Sequence, residues 1–212
     1  MKYFLLLSLL CFNAQAQIHT FQPNLKLKLT DLTLVDSRPL NKCLTKTLKG
    51  AKCIPVDTFQ NSKGKFASFR DITWVMGTAN INYSDKVLVF GDDLKKTYAL
   101  AGIFHLIGQE DVWLVQQNVD SLMALYPSGV GVQRGFTRMD VFTGRMRDEL
   151  VVLINELKPL KKANWSVVKS KIGKTVNEKL IAFSKTPLDS ISLFVDLKLS
   201  GFNQILVVVD GV

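Results

Sequence analysis

Apolar residues along the chain fall into short blocks of two kinds. The blocks KVLVFG (86–91) and DVWLVQ (111–116) are nearly continuous in apolar residues, which is typical of strands covered on both faces. The block between them, 94–108, has apolar residues at helical spacing and ends in Gly108, a common helix stop. The pattern predicts a strand, a short loop, a helix and a second strand.

The same alternation of strand and helix continues on both sides of this block. Further strands are predicted at 31–39, 52–59, 179–184 and 202–211, and further helices at 69–80, 144–160 and 187–201. Strands that alternate with helices favour an α/β fold with a parallel sheet flanked by helices. The segment 126–135 (YPSGVGVQRG) is dense in turn formers and is predicted to link two units, 25–125 and 136–212.

The second unit is predicted to be a smaller, degenerate repeat of the first. When the chain is shifted by 93 residues, the elements of 86–119 align without a gap with those of 179–212. The aligned pairs include Phe90 with Phe183 and Gly108 with Gly201. Identity over this alignment is low, so coincidental similarity between two strand-loop-helix units is the alternative.

The first sixteen residues have the organisation of a secretory signal peptide. Lys2 precedes an apolar run that ends at Phe12, and Ala14-Gln15-Ala16 has the small-residue spacing of a cleavage site. The run is shorter than the ~20 residues that span a bilayer. We therefore predict export to the periplasm or the medium with cleavage after Ala16, the alternative being an uncleaved anchor.

The charge balance favours anionic partners. The chain has 27 basic and 18 acidic residues and a net charge of +9, which suits an acidic protein, a small anion or a membrane surface. The lysines are scattered except between Lys158 and Lys179, and no nucleic-acid-binding motif accompanies them. A solvated basic face is the simpler interpretation. A protein partner, a small anion and contact with a membrane surface are the predicted partner classes, and nucleic acid is not one of them.

Cys43 and Cys53 are the cysteines outside the predicted signal peptide. Export would bring them into an oxidising compartment, and their spacing permits a disulfide without requiring one. A metal site is disfavoured because neither histidine, His19 or His105, lies at ligand spacing from the cysteines. The sequence predicts neither a metal nor an organic cofactor.

The order of motifs between residues 25 and 125 resembles that of a rhodanese domain. The first strand ends in Asp36-Ser37-Arg38, and TLKGAKCIP (47–55) keeps the glycine, alanine, isoleucine and proline of a second family motif. A central strand, a loop, a helix that ends in glycine and a further strand follow in the family's order. The resemblance implies a rhodanese-like parallel sheet flanked by helices, followed here by a smaller degenerate α/β repeat. Asp36 and Arg38 are predicted to form a structural ion pair.

The loop that carries the active cysteine in this family departs from the family pattern here. In active members that cysteine directly follows the central strand and carries a persulfide, whereas this chain has Gly91 there and Ser184 in the second unit. Neither residue can carry a sulfane sulfur. The two carboxylates of the loop are predicted to cap the following helix and to repel anionic substrates. The degenerate loop contains Gly91, Asp92, Asp93, Lys95, Lys96 and Thr97.

Two other groups of residues are candidates for chemistry. Cys53 or Cys43 could supply a displaced thiol, although pairing of the two would remove it. The segment Ser184, Lys185 and Thr186 precedes a helix and suits anion binding, although ordinary capping explains the same residues. A serine hydrolase at Ser184 would need a base that the sequence does not identify.

The leading hypothesis is therefore an exported, catalytically inactive rhodanese-like protein that acts as a binding or assembly module. One alternative is a sulfurtransferase or thiol-redox enzyme that uses Cys53 or Cys43, or a subunit that shapes the active site of a partner supplying the cysteine. Another is a basic protein bound at a membrane surface.

Overall fold

The computed structural model describes residues 17–22, 28–170 and 178–210, and the predicted signal peptide lies outside the described residues. The first part of the chain contributes the strands β1 (Gln17–Thr20), β2 (Thr33–Asp36), β3 (Thr47–Leu48), β4 (Lys52–Cys53), β5 (Lys86–Phe90), β6 (Asp111–Leu114), β7 (Ser128–Gly129) and β8 (Val132–Gln133). A parallel sheet forms from these strands in the order β1-β6-β5-β2-β4-β8. β3 and β7 pair separately as a short antiparallel ladder.

Helices cover both faces of this sheet. They are α1 (Leu40–Thr45), α2 (Phe69–Thr78), α3 (Leu94–Leu106) and α4 (Val119–Leu125). In the central strand β5, Val87 and Val89 pack in the apolar cluster that contains α3, and Leu88 and Phe90 pack in the cluster that contains α4. Both faces of β5 are therefore covered, which explains its unbroken apolar run as predicted.

The second part of the chain forms a smaller parallel sheet. Its strands are β9 (Val151–Val152), β10 (Ser166–Val168), β11 (Leu180–Ala182) and β12 (Ile205–Val208), in the order β10-β11-β12-β9. α5 (Leu157–Lys162) precedes β10, and α6 (Pro187–Leu199) connects β11 to β12. The predicted α/β fold class is confirmed. Within the described ranges, no helix is long and apolar enough to cross a membrane.

α3 and α6 occupy equivalent places in the two halves. Each has 13 residues, and their capping residues, Asp93 and Thr186, are aligned by the same shift as the rest of the two segments. Each helix stops before a glycine with positive φ, Gly108 at 98° and Gly201 at 89°, a conformation that glycine adopts at little steric cost. The shared plan agrees with a degenerate repeat, and a common origin of the halves stays a prediction.

α3 and α6 pack directly against each other and join the two halves through one core. Every residue from Thr97 to Leu106 is buried, because α3 lies between its own sheet and α6. At the helix crossing, a Cβ on Gly102 would overlap Cγ2 of Ile191 and lie 2.9 Å from Cγ2 of Val195. Residues of both halves belong to one apolar cluster, among them Val89, Phe104, Phe194 and Val207.

Gly102→Ala is expected to destabilise the protein by about 1–3 kcal/mol, the usual cost of an overpacked core. Alanine normally favours a helix interior over glycine by about 1 kcal/mol, but here its Cβ would displace γ-methyl groups of two β-branched residues with stiff χ1 angles. Urea unfolding measures the loss. Gly129→Ala is the control, because the atoms nearest its Cβ would lie at 3.5 Å or more. An unchanged midpoint for Gly102→Ala would contradict the close helix packing.

Residues 144–160, predicted to form one helix, have a different structure. They contain two 3-10 turns, Asp148–Leu150 and Ile154–Glu156, together with β9 and the start of α5. Val151 and Val152 pair with β12, so recruitment to the sheet outweighs the local helical spacing. The prediction of one long helix is wrong.

The sequence does not predict the two strands at the edges of the first sheet. β1 begins at Gln17, directly after the predicted cleavage site, and pairs with β6. β8 lies within 126–135, the predicted linker, and pairs with β4. Both strands are short and their residues are half-buried or exposed, so neither has the apolar periodicity that identifies a strand. The boundary between the two units stays a prediction.

Candidate functional site

The motif Asp36-Ser37-Arg38 ends β2 in a buried ion pair. Asp36 is fully buried, and its carboxylate accepts hydrogen bonds from Arg38 Nη2 (2.8 Å) and Thr47 Oγ1 (2.7 Å). Arg38 Nη2 also donates to the carbonyl of Lys46 at 2.6 Å. Burial of the guanidinium opposes its charge, but the hydrogen bond and charge of Asp36, together with the charges of Asp92 and Asp120, outweigh the burial, so the pKa of Arg38 is raised. The predicted structural ion pair is confirmed. It holds Arg38 beside Asp92, in the loop that follows β5.

Ser37 fills the space that a side chain at position 91 would occupy. Gly91 directly follows β5 and is buried. A Cβ at this position would overlap Ser37 Oγ and lie 2.9 Å from Thr97 Oγ1. Ser37 Oγ donates to the carbonyl of Phe90 and Thr97 Oγ1 to that of Asp93, each at 3.0 Å. These hydrogen bonds hold both hydroxyls in place, so the position has no thiol, and a side chain there would have to displace Ser37 Oγ.

Asp93 takes up the N–H groups at the start of α3. Its Oδ1 accepts hydrogen bonds from the backbone N–H groups of Lys95 (2.9 Å) and Lys96 (3.2 Å). The free N–H groups at a helix N-terminus are the usual donors to a bound anion. The predicted capping role is confirmed for Asp93, and its carboxylate stands where an anion would otherwise bind.

Asp92 has a different role from the capping that was predicted for it. Its Oδ2 lies 3.9 Å from Arg38 Nη1 and 3.9 Å from Lys42 Nζ. Its Oδ1 accepts a long hydrogen bond, 3.4 Å, from the backbone N–H of Val119 at the start of α4. Asp92 therefore connects the loop to α1 and α4.

Lys95 and Lys96 form ion pairs across the cleft beside the loop. Lys95 Nζ lies 2.7 Å from Asp189 Oδ1 in α6, and Lys96 Nζ lies 2.9 Å from Asp57 Oδ2. The cleft has a volume of 320 Å³ and separates the loop from the start of α6. Each ammonium is balanced by a carboxylate, so these lysines give the cleft no excess positive charge to attract an anionic sulfur donor.

Capping also occupies the loop before α6. Thr186 is the N-cap of α6, and its Oγ1 accepts from the backbone N–H of Asp189 at 3.1 Å. The backbone N–H of Ser184 donates to Ser190 Oγ at 2.8 Å. Thr186 thus caps α6, which was the alternative to anion binding at this loop. Anion binding by Ser184, Lys185 and Thr186 stays a prediction.

Cys43 and Cys53 form a disulfide. The structure therefore shows the bridge that the sequence permitted, and not a displaced thiol at either cysteine. Their Cα atoms are 5.7 Å apart, and both residues are buried. Gly131 covers the bridge, because its N–H donates to the carbonyl of Cys43 at 3.2 Å and a Cβ on it would lie 2.7 Å from Cys43 Sγ. The bridge leaves neither sulfur as a free, accessible thiol.

The fold thus brings Gly91 and Asp93 together with Ser37 and Thr97, and it places Ser184 on a separate loop. Sequence reasoning missed Ser37, whose contact with Phe90 spans 53 residues of the chain. Its place between Asp36 and Arg38, in the motif that ends the first strand, is the one signal that could have found it. In the part of the chain that the structure describes, no group of three or more His, Cys, Asp or Glu residues is placed to hold a metal ion.

Neither protein-family models nor curated sequences match this chain, but solved structures do. The wild-type structure of EanB matches with a TM-score of 0.71 and 14% identity, over 90% of this chain and 62% of EanB. SseA from Escherichia coli matches with a TM-score of 0.67 and 8% identity, over 86% of this chain and 93% of SseA. YnjE matches with a TM-score of 0.61 and 13% identity, over 85% of this chain and 59% of YnjE. The chain thus spans less than two thirds of EanB and of YnjE.

The low identities limit the likeness to the fold. SseA is described by the rhodanese fold and the catalytic mechanism of 3-mercaptopyruvate sulfotransferases. EanB has been solved with ergothioneine, with hercynine and with a persulfide on one of its cysteines. Since these matches cover most of both halves, the observed arrangement of sheets and helices is a known one. This chain has the rhodanese fold.

Proposed function

We propose that this chain is an exported rhodanese-fold protein without sulfurtransferase chemistry, which acts as a binding or assembly module. The observation that carries the proposal is the filled position at Gly91. Sulfur transfer on this fold needs a cysteine thiolate that the N–H groups of the loop stabilise. In this chain Ser37 takes the space of the cysteine side chain, and Asp93 accepts from the N–H groups of Lys95 and Lys96.

Export and a protein partner belong to the same proposal. The signal-peptide pattern of residues 1–16 supports export. The Cys43–Cys53 disulfide supports it as well, because disulfides persist in oxidising compartments. The net charge of +9 supports an acidic partner.

The rival function is that of a sulfurtransferase or thiol-redox enzyme. SseA, which shares the fold, is described among sulfotransferases, and this gives the rival its support. Such an enzyme would need Cys53 or Cys43 in reduced form, or a cysteine supplied by a partner. The buried disulfide opposes the first of these routes.

The test is sulfur transfer by the purified chain, with thiosulfate or 3-mercaptopyruvate as donor and cyanide as acceptor, with and without a reductant. We expect no turnover above the protein-free rate, while an active rhodanese assayed in parallel turns over. Turnover that disappears in Cys53→Ser or Cys43→Ser would overturn the proposal in favour of the rival.

Gly91→Cys is expected to destabilise the protein by about 1–3 kcal/mol, because its Cβ overlaps Ser37. In a Ser37→Gly background the same substitution should cost less. Neither cysteine variant should gain a sulfur atom in mass after incubation with thiosulfate, because Asp93 still accepts from the N–H groups of Lys95 and Lys96. Gly91→Ala is the control, and it should lose similar stability without a thiol. Equal urea midpoints for Gly91→Cys and the unsubstituted protein would contradict a filled position.

A further inference from the structure

An apolar cavity lies between the two halves, away from the Gly91 loop. It has a volume of 160 Å³ and is bounded by the segment 66–72, by α3 and by residues of the second half. Its walls include Phe66, Ile72 and Leu106 from the first half and Met146 and Val209 from the second. This volume is close to the about 150 Å³ of an apolar cavity that accepts a ligand of the size of benzene. The flexible Met146 allows such walls to adapt to a ligand.

A basic cleft borders this cavity. The two share Phe66, Ala67 and Val209 as lining residues. The cleft has a volume of 540 Å³ and is also lined by Lys63, Lys65 and Lys185, and we call it the lysine cleft. The shared wall residues place the lysine cleft next to the apolar cavity.

The charge of the lysine cleft is not balanced by its one acidic lining residue. Lys63, Lys65 and Lys185 are exposed, and no carboxylate of the described residues lies within 4.0 Å of their side-chain nitrogens. The carboxylate of Asp210 is engaged elsewhere, because both of its oxygens accept from the backbone N–H of Ile154 at 3.0 Å. The cleft is thus lined by three ammonium groups and one carboxylate, which leaves it with excess positive charge.

We propose that the apolar cavity and the lysine cleft together bind a small amphiphilic anion. An aryl ring or a short aliphatic chain occupies the cavity, and a carboxylate, sulfonate or phosphate group lies among Lys63, Lys65 and Lys185. Burial of the apolar group contributes affinity, and the lysines select for negative charge. Lysine acts as a point charge, so the site does not require a planar anion that matches a bidentate donor. This site is separate from Gly91, and the proposal goes beyond the loss of sulfur chemistry.

The test is isothermal titration calorimetry of the full chain with 4-phenylbutyrate, which carries a benzene ring and a carboxylate joined by a short aliphatic chain. We expect a dissociation constant of about 0.1–1 mM, typical of a ligand of this size. The uncharged analogue 4-phenylbutanol should bind about tenfold more weakly, and inorganic phosphate should compete only at much higher concentration. Raised salt should weaken the binding of 4-phenylbutyrate.

Variants separate the two parts of the site. Lys63→Gln/Lys65→Gln/Lys185→Gln should weaken 4-phenylbutyrate about fivefold or more and leave 4-phenylbutanol unchanged. The matched control is Lys158→Gln/Lys161→Gln/Lys162→Gln, which removes the same charge from exposed lysines of α5 and should have little effect. Ala67→Leu should weaken both ligands, because it enlarges a side chain in the wall that the cavity and the cleft share. Urea unfolding shows whether that variant is folded.

Three results would overturn the proposal. They are equal affinity for 4-phenylbutyrate and 4-phenylbutanol, equal loss in the two triple lysine variants, and no heat of binding at millimolar ligand. Binding of the chain to vesicles of an anionic phospholipid, without binding of 4-phenylbutyrate, would also overturn it and would point to a membrane surface instead. The sulfurtransferase assay is independent of all these outcomes.

Discussion

The free energy of unfolding is expected to fall by roughly 4 kcal/mol between pH 6.5 and pH 3.5 because of a single residue, His105. His105 lies in α3 and is 1% exposed. Its ring centroid is 6.0 Å from that of Phe194 in α6. Neither ring nitrogen has a hydrogen-bond partner among the described residues. The imidazole is therefore buried in the core that joins the two halves, without a group that would stabilise its charged form.

Burial, and then the positive charges of Arg147 and Lys198, lower the pKa of His105 to about 3. The histidines of the unfolded chain titrate near the ordinary value of about 6.5. Between these two values the unfolded state takes up a proton that the folded state does not. The contribution of neutral His105 to stability is therefore complete above pH 6.5 and is lost progressively as the pH falls towards 3.

His105→Phe removes the titrating group and keeps an aromatic ring of similar shape. We expect its urea midpoint to fall much less between pH 7 and pH 4 than that of the unsubstituted protein. The variant should also be at least as stable at pH 7, because it removes a buried polar group without a partner. His19→Gln is the control, because it removes the other histidine of the chain. His19 is half-buried on β1, and its Nε2 lies 3.5 Å from Asp111 Oδ1. Equal acid sensitivity of His105→Phe and the unsubstituted protein would show that His105 does not cause it.

Asp36→Ala is expected to cost about 3–5 kcal/mol, the usual effect of leaving one member of a buried ion pair without its partner. The substitution removes the carboxylate that accepts from the backbone N–H and the guanidinium of Arg38 and from Thr47 Oγ1. The guanidinium, 8% exposed, would then keep the carbonyl of Lys46 and the more distant Asp92 as neighbours.

A double-mutant cycle separates the unpaired charge from the loss of packing. Asp36→Ala/Arg38→Ala should cost clearly less than the sum of the two single substitutions, because no buried charge remains unpaired. Asp57→Ala is the control, since it breaks an exposed ion pair with Lys96 that is worth about 1 kcal/mol or less. Simple additivity in urea unfolding would show that Asp36 and Arg38 act independently.

Local patterns in the sequence predicted most of the elements near the site. The apolar run of β5, the spacing of α3 and the stop at Gly108 depend on neighbouring residues alone, and each is present in the structure. The same kind of pattern failed at 144–160, because pairing of Val151 and Val152 with β12 is a contact between distant parts of the chain. Periodicity specifies which side chains can be buried together, whereas the partner decides between helix and strand.

The sequence by itself determined the α/β class, the likeness to the rhodanese motifs and the absence of a cysteine at position 91, because these depend on residue identity and short-range order. Only the tertiary structure decided that Ser37 fills the position beside Gly91, that Asp93 but not Asp92 caps α3, and that the apolar cavity meets the lysine cleft. Ser37 and Gly91, and the residues that line the cavity and the cleft, are far apart in the chain. The cap is local, but Asp92 is drawn away from it by distant partners, Arg38, Lys42 and Val119. Their distances are set by packing of sheets and helices, which no local pattern encodes.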